Sequence, residues 1–319
     1  MTTAPGLIAD IGGTNARFAL ADAQGYRHEK TLNCADYEGP AQAVRAYLDL
    51  VLPPSPPRTA AFAIAGPVTG DLFEAVNFPW KFSIQDTATE LGLERFELLN
   101  DFKAIAMAIP HLKPEHLRQI GAGAPVAQAP IGIVGPGTGL GVASLVWDGT
   151  RYVPIPGEGG HVTMAAQTQR EFDIFRTLHY KYRHVSAERV CSGKGLLNIY
   201  NAIRILEGRD DLPDRTPEEI SALALSKGCE TCEETLDLMM GFLGMVAGNL
   251  ALTLGAHGGI YVGGGIVQKL GEAFFTSRFR KQFVSKGRLA AYLDPIPTYA
   301  ILHPYPAFVG LHAELKALA

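Results

Sequence analysis

Leu7-Ile8-Ala9-Asp10-Ile11-Gly12-Gly13-Thr14-Asn15-Ala16-Arg17-Phe18-Ala19-Leu20 is two apolar runs folded about a Gly-Gly pair, with one acid just before the turn. Short apolar runs bounded by turn residues predict a β-hairpin, and Gly12-Gly13 lets backbone N–H groups approach an anion. Asp10, at the end of the first strand, faces the same space. A carboxylate beside a phosphate cradle calls for a cation between them, and Mg²⁺ with its waters kept is the usual one. The same residues also suit an ordinary hairpin whose Asp caps its own turn.

The pattern returns. Ile131-Gly132-Ile133-Val134-Gly135-Pro136-Gly137-Thr138-Gly139-Leu140-Gly141-Val142-Ala143-Ser144-Leu145-Val146 is again an apolar run, a Gly-rich turn and a second apolar run, with Gly137-Thr138 in the place of Gly13-Thr14. Two such hairpins predict two similar half-domains that offer backbone N–H groups and a Thr hydroxyl to opposite sides of one polyphosphate. A third cluster, Gly263-Gly264-Gly265, follows the apolar Gly259-Ile260-Tyr261-Val262 and would let a flat ring lie against bare backbone.

Other phosphate machinery is absent from the sequence. There is no GxGxxG, and Gly193-Lys194-Gly195 lacks the earlier glycine and following Ser or Thr of a P-loop. Phosphoryl transfer to a hydroxyl needs a base within reach of the departing proton. Asp101 suits that role, at the end of the strand Glu97-Leu98-Leu99 and beside Asn100, whose amide can both donate to and accept from a hydroxyl. Asn100-Asp101 also suits a plain helix cap before Phe102. Read from the residues alone, Glu188 fits the acidic first turn of a helix and His161 an interior histidine.

Six segments in order carry a family likeness: Asp10 to Arg17, Leu99-Asn100-Asp101-Phe102, Gly135 to Gly141, Pro156-Gly157-Glu158-Gly159-Gly160-His161, His184-Val185-Ser186-Ala187-Glu188-Arg189, and Gly263 to Ile266. The chain resembles the bacterial glucokinases, of the superfamily that joins hexokinases, actin and the heat-shock chaperone ATPases. The resemblance implies an α/β, two-domain actin-like ATPase (ribonuclease H-like) fold with duplicated mixed β-sheet domains. It implies transfer of the γ-phosphoryl group of ATP to the 6-hydroxyl of glucose, with Asp101 as base. Asn100, Asp101, Glu158, His161 and Glu188 would hold the hexose. Asp10, Gly12, Gly13, Thr14, Asn15, Gly137, Thr138, Gly139, Gly263, Gly264 and Gly265 would hold ATP, with Asp10 on Mg²⁺ through water. A homodimer is implied too. A non-catalytic sugar sensor would be expected to lose the base or the phosphate loops, and an actin-like ATPase without a sugar site has no use for Glu158, His161 and Glu188.

The whole chain sets bounds on this reading. Its 319 residues suffice for two domains, and 47% hydrophobic with 19% charged residues is a globular composition. A net charge of −4 without a Lys/Arg cluster gives no footprint for nucleic acid. Met1-Thr2-Thr3-Ala4-Pro5 is too short and polar for a signal peptide, which leads to the expectation of a cytoplasmic protein. Cys34, Cys191, Cys229 and Cys232 are too few for a disulfide framework, and the single CxxC lacks the second ligand pair of a zinc site. That sets the chain apart from the neighbouring sugar kinase and repressor family with its Cys-rich zinc motif.

Helical spacing is expected over Tyr37 to Leu52, Gln85 to Leu91, Phe102 to Ile109, Glu171 to His179, Leu196 to Leu206, from Pro217, and over Ala307 to Leu318. Thr59 to Ala65 reads as a strand with Asp71 to Asn77 as its hairpin partner, and Pro295 to Leu302 as a closing strand. Pro110 to Pro130 lacks periodicity, so the domain change is placed there: a small domain of 1–110 joined by the C-terminal helix 303–319, and a large one of 111–302. Leu238 to Val267 contains no charged residue in 30, but its nine glycines, Asn249, Thr253 and His257 favour a buried helix and a core strand over a membrane span.

Overall fold

The computed structural model describes residues 5–74 and 78–318, so Met1 to Ala4 and Asn77, read above from sequence, lie outside the described residues. The chain forms two compact units, one of Met1–Lys113 with His303–Ala319 and one of Pro114–Leu302.

In the first unit the strands are β1 (Gly6–Ile11), β2 (Asn15–Asp22), β3 (Gly25–Asn33), β4 (Thr59–Ile64) and β7 (Arg95–Asn100), with a small ribbon of β5 (Leu72–Phe73) and β6 (Phe82–Ser83). The main sheet runs β3-β2-β1-β4-β7, antiparallel across β2 and parallel from β1 to β7. Both faces are covered, which is why β1 is apolar at nearly every position rather than alternating. Leu7, Ala9 and Ile11 join Phe18, Tyr47, Phe62 and Trp80 on the side of α1 (Pro40–Val51), while Ile8 joins Ala104, Phe308 and Leu311 on the other. Each large side chain so buried contributes about 1.5–3 kcal/mol over leaving it in water. Ser83 caps α2 (Ile84–Leu91) through Asp86 N–H at 3.0 Å. The last helix, α12 (Pro306–Leu318), returns to pack on α3 (Asp101–Ala108), and Gly310 makes that possible because a Cβ there would strike the Ala104 carbonyl.

Among the described residues the hairpin expected between 59–65 and 71–77 is not formed, residues 75–77 lying outside them. β4 is flanked by β1 and β7, so both its edges are taken, and Leu72–Phe73 pairs with Phe82–Ser83 instead.

The second unit holds β8 (Leu117–Ile120), β9 (Ile131–Pro136), β10 (Leu140–Trp147), β11 (Tyr152–Gly157), β12 (Ile260–Val262) and β13 (Thr298–Ile301). Its sheet runs β11-β10-β9-β12-β13-β8. The first five repeat the order and directions of β3-β2-β1-β4-β7, so the duplication is visible in the hydrogen bonding, with β8 as an added antiparallel edge. The helices are α4 (Gln169–Tyr182), α5 (Gly193–Glu207), α6 (Pro217–Leu225), α7 (Glu230–Leu254), α8 (Gly265–Leu270), α9 (Glu272–Phe275), α10 (Phe279–Val284) and α11 (Ala290–Leu293). By length and composition α7 could cross a membrane, but 78% of its most apolar window is buried inside the protein. It packs against α5, α6, α10 and β9.

Candidate active site

In the first unit three parallel strands end in one row: Ile11 pairs with Ile64, and Ile64 with Asn100. With strands about 4.8 Å apart, the ends of β1 and β7 lie roughly 10 Å from each other. Asp10 and Asp101 therefore leave the same edge of the sheet, where open α/β sheets bind their ligands. The β1–β2 turn closes with Gly12 N–H donating to the Asn15 carbonyl at 2.9 Å, leaving Gly13-Thr14 at the tip. Cys34 N–H donates to the Thr14 carbonyl at 2.8 Å and anchors the turn from behind. A Cβ on Gly12 would meet only the Asn15 carbonyl, at 3.6 Å, so the protein itself gives little steric reason for glycine there.

Asp10 faces Arg17 across the hairpin, carboxylate to guanidinium 3.8 Å, and a quarter of its side chain remains exposed. Desolvation pushes its carboxyl above the usual range, and the Arg17 charge opposes that shift. A carboxylate with only one long ion pair, beside a turn whose N–H groups suit a phosphate, is a fitting oxygen ligand for a hydrated Mg²⁺ on that phosphate. Among the described residues no group of three or more His, Cys, Asp or Glu could hold a metal, so a cation here would take the rest of its shell from water and phosphate.

Asn100 is fully engaged in this structure. Its Oδ1 accepts from Phe102 N–H at 2.9 Å and Lys103 N–H at 3.1 Å, capping α3, while Nδ2 donates to the Gly66 carbonyl and to Asp101 Oδ1, both at 3.1 Å. The cap is real, and the same amide fixes the neighbouring carboxylate.

In the second unit the β9–β10 turn is shorter than its counterpart. Gly137 N–H donates to the Gly139 carbonyl at 2.8 Å, which leaves Thr138 alone at the tip, and Gly135, Pro136, Leu140 and Gly141 lie in the strands. Thr14 and Thr138 are thus not strictly equivalent, a one-residue difference that spacing could not reveal. Among the described residues, chain neighbours aside, no atom lies within 4 Å of a Cβ built on Gly137 or on Gly265, so those surfaces are open. Gly264, at φ +90° as the cap of α8, is different: a Cβ would strike the Pro136 carbonyl. The parallel pairing of β12 with β9 thus brings Gly263 to Gly265 against the second hairpin.

Glu158, His161 and Glu188 come together by an unforeseen device. The segment after His161 runs antiparallel to the one before Glu188, with Met164 N–H to the Val185 carbonyl at 3.0 Å and Ala187 N–H to the Val162 carbonyl at 2.9 Å. Glu158 and His161 are about two-thirds exposed, 66% and 60% of their side chains, and lie 3.9 Å apart. His161 is therefore no interior histidine. Gly160 lets their turn settle on β10, since a Cβ would collide with the Leu140 carbonyl. Glu188 sits on the single turn Ala187–Arg189, and its Oε2 accepts from Leu140 N–H at 3.0 Å. Leu140, invisible to motif reading because only its backbone acts, is the point where these loops meet.

Residues 7–318 match the model of the family described as glucokinase. A glucokinase of Aromatoleum aromaticum is 50% identical over 320 residues, covering 99% of this chain and 96% of its own length. The solved glucokinase from an Antarctic psychrotroph is 34% identical, with a TM-score of 0.87 over 99% of this chain and 100% of its own. A ROK family glucokinase from Streptomyces griseus, solved with glucose and AMPPNP, shares the fold at 18% identity, TM-score 0.66, covering 99% of this chain and 100% of its own.

Proposed function

The chain belongs to the glucokinase family and is an ATP-dependent glucose kinase of actin-like ATPase fold, and from that premise we propose how its own residues divide the work. Asp101 accepts the proton of the 6-hydroxyl as that oxygen attacks the γ-phosphorus, and the bond from the γ-phosphorus to the bridging oxygen breaks to release ADP. Asn100 orients Asp101, and turns Nδ2 from the Gly66 carbonyl to a sugar hydroxyl when glucose arrives. Glu158, His161 and Glu188 take further ring hydroxyls. The turns Gly12 to Asn15 and Gly137 to Gly139 hold the phosphates through the backbone N–H groups that their closing bonds leave over and the hydroxyls of Thr14 and Thr138, and Gly263 to Gly265 hold the adenosine. Asp10 would hold Mg²⁺ through water, and the metal would supply neutralisation of charge on the phosphates.

The observation that carries this division is the shared edge of Asp10 and Asn100-Asp101 at the row Ile11, Ile64, Asn100. The enzyme works in the cytoplasm, as a homodimer, at the entrance to glycolysis. An assay of ADP release across a hexose panel, with and without Mg²⁺, tests the reading. ADP should appear with glucose and Mg²⁺ together, and equal release without any sugar would overturn it.

A further inference from the structure

We propose that the Glu188 carboxylate is a positioning group shared between the sugar and the second phosphate hairpin, so that glucose at Glu188 tightens nucleotide binding at Gly137 to Gly139. This rests on the sugar-binding role given to Glu188 above. Its Oε2 is already committed to Leu140 N–H at 3.0 Å, in the first residue after the turn. The absence of a side chain at Gly139 makes room for the contact: a Cβ there would strike Oε2, so the carboxylate would have to move. The segment carrying Glu188 is stitched to the same turn a second time, because Gly193 N–H donates to the Gly137 carbonyl at 2.9 Å. Ser192 Oγ donates to the Glu188 carbonyl at 2.8 Å and also caps α5, which fixes the backbone between the two stitches.

A carboxylate can accept several hydrogen bonds at once. One oxygen therefore holds the hairpin while the other serves a hydroxyl. A sugar that orders the carboxylate also orders Leu140 and the turn before it, and linkage requires the nucleotide to tighten the sugar by the same factor.

The test compares the dissociation constant of Mg·AMPPNP with and without saturating glucose, by calorimetry on the full chain. In the wild type glucose should tighten the analogue by about 5- to 150-fold, the usual range of such coupling. Glu188→Ala should weaken glucose and cut that ratio severalfold even at saturating glucose, whereas His161→Ala should weaken glucose and keep the ratio. Gly139→Ala, which adds no charge and removes no polar group, should weaken glucose binding although residue 139 serves the phosphates. A Glu188→Ala protein with the wild-type ratio, or a Gly139→Ala protein with unchanged glucose affinity, would overturn the shared role. Unchanged glucose affinity in Glu188→Ala would instead overturn the sugar site itself.

Discussion

The side-chain amide of Asn100 donates to Asp101 Oδ1 at 3.1 Å, and Phe102 N–H donates to the same oxygen at 2.9 Å. The carboxylate is thus aimed by its two neighbours in sequence before any substrate arrives. Asp101→Asn keeps the shape and removes the basicity, so turnover should fall by about 10²- to 10⁴-fold, roughly 3–5 kcal/mol of barrier. Affinity for Mg·AMPPNP should hardly change. Near-normal turnover in a folded Asp101→Asn enzyme would leave Asp101 as part of a cap and nothing more.

Asn100→Ala separates capping from catalysis. Loss of the cap should lower stability by about 1 kcal/mol, read from denaturant midpoints. Turnover at saturating substrates should fall as well, since Asp101 loses a donor. A purely structural Asn100 would lower the midpoint and leave turnover intact.

Asp10→Asn addresses the metal. The concentration of Mg²⁺ needed for half-maximal rate should rise, with glucose affinity by calorimetry nearly unchanged. Loss of glucose binding as severe as the loss of rate would show that Asp10 serves the sugar instead.

One stability prediction concerns a buried pair in the second unit. Glu171 is 1% exposed, and its carboxylate accepts from Arg278 at 3.1 Å and from Gln167 N–H at 2.7 Å. Arg278→Met strands that buried charge, which should cost about 3–5 kcal/mol. Adding Glu171→Gln should recover a large part of the loss. Equal stability of the single and double variants would refute the pairing.

The thiols give a further check. All four cysteines are free, and burial pushes the thiol of Cys34 up to about 11 and that of Cys232 up to about 12, while Cys191 is buried and raised as well. Since the thiolate is the reactive form, Cys229, the one partly exposed cysteine, should react first with a thiol reagent at pH 8. Mass mapping of the labelled peptide settles the order, and early labelling of Cys191 would contradict this packing.

The sequence by itself determined the two hairpins, the strand ends that carry Asp10 and Asp101, the buried nature of α7 and the free thiols, because apolar runs, turn glycines and helix caps act over a few residues. It left out β3, whose polar residues form an exposed edge, and β11, where Pro154 and Pro156 break any strand pattern yet are tolerated on an edge. Only the tertiary structure decided that Leu72–Phe73 pairs away from β4, because the choice depends on which edges of the sheet are already filled. It alone decided that the Glu188 carboxylate lies against Gly139, held there by the backbone N–H of Leu140. That contact joins residues 48 apart through a main-chain N–H, a group every residue except proline possesses, and so no side-chain pattern announces it.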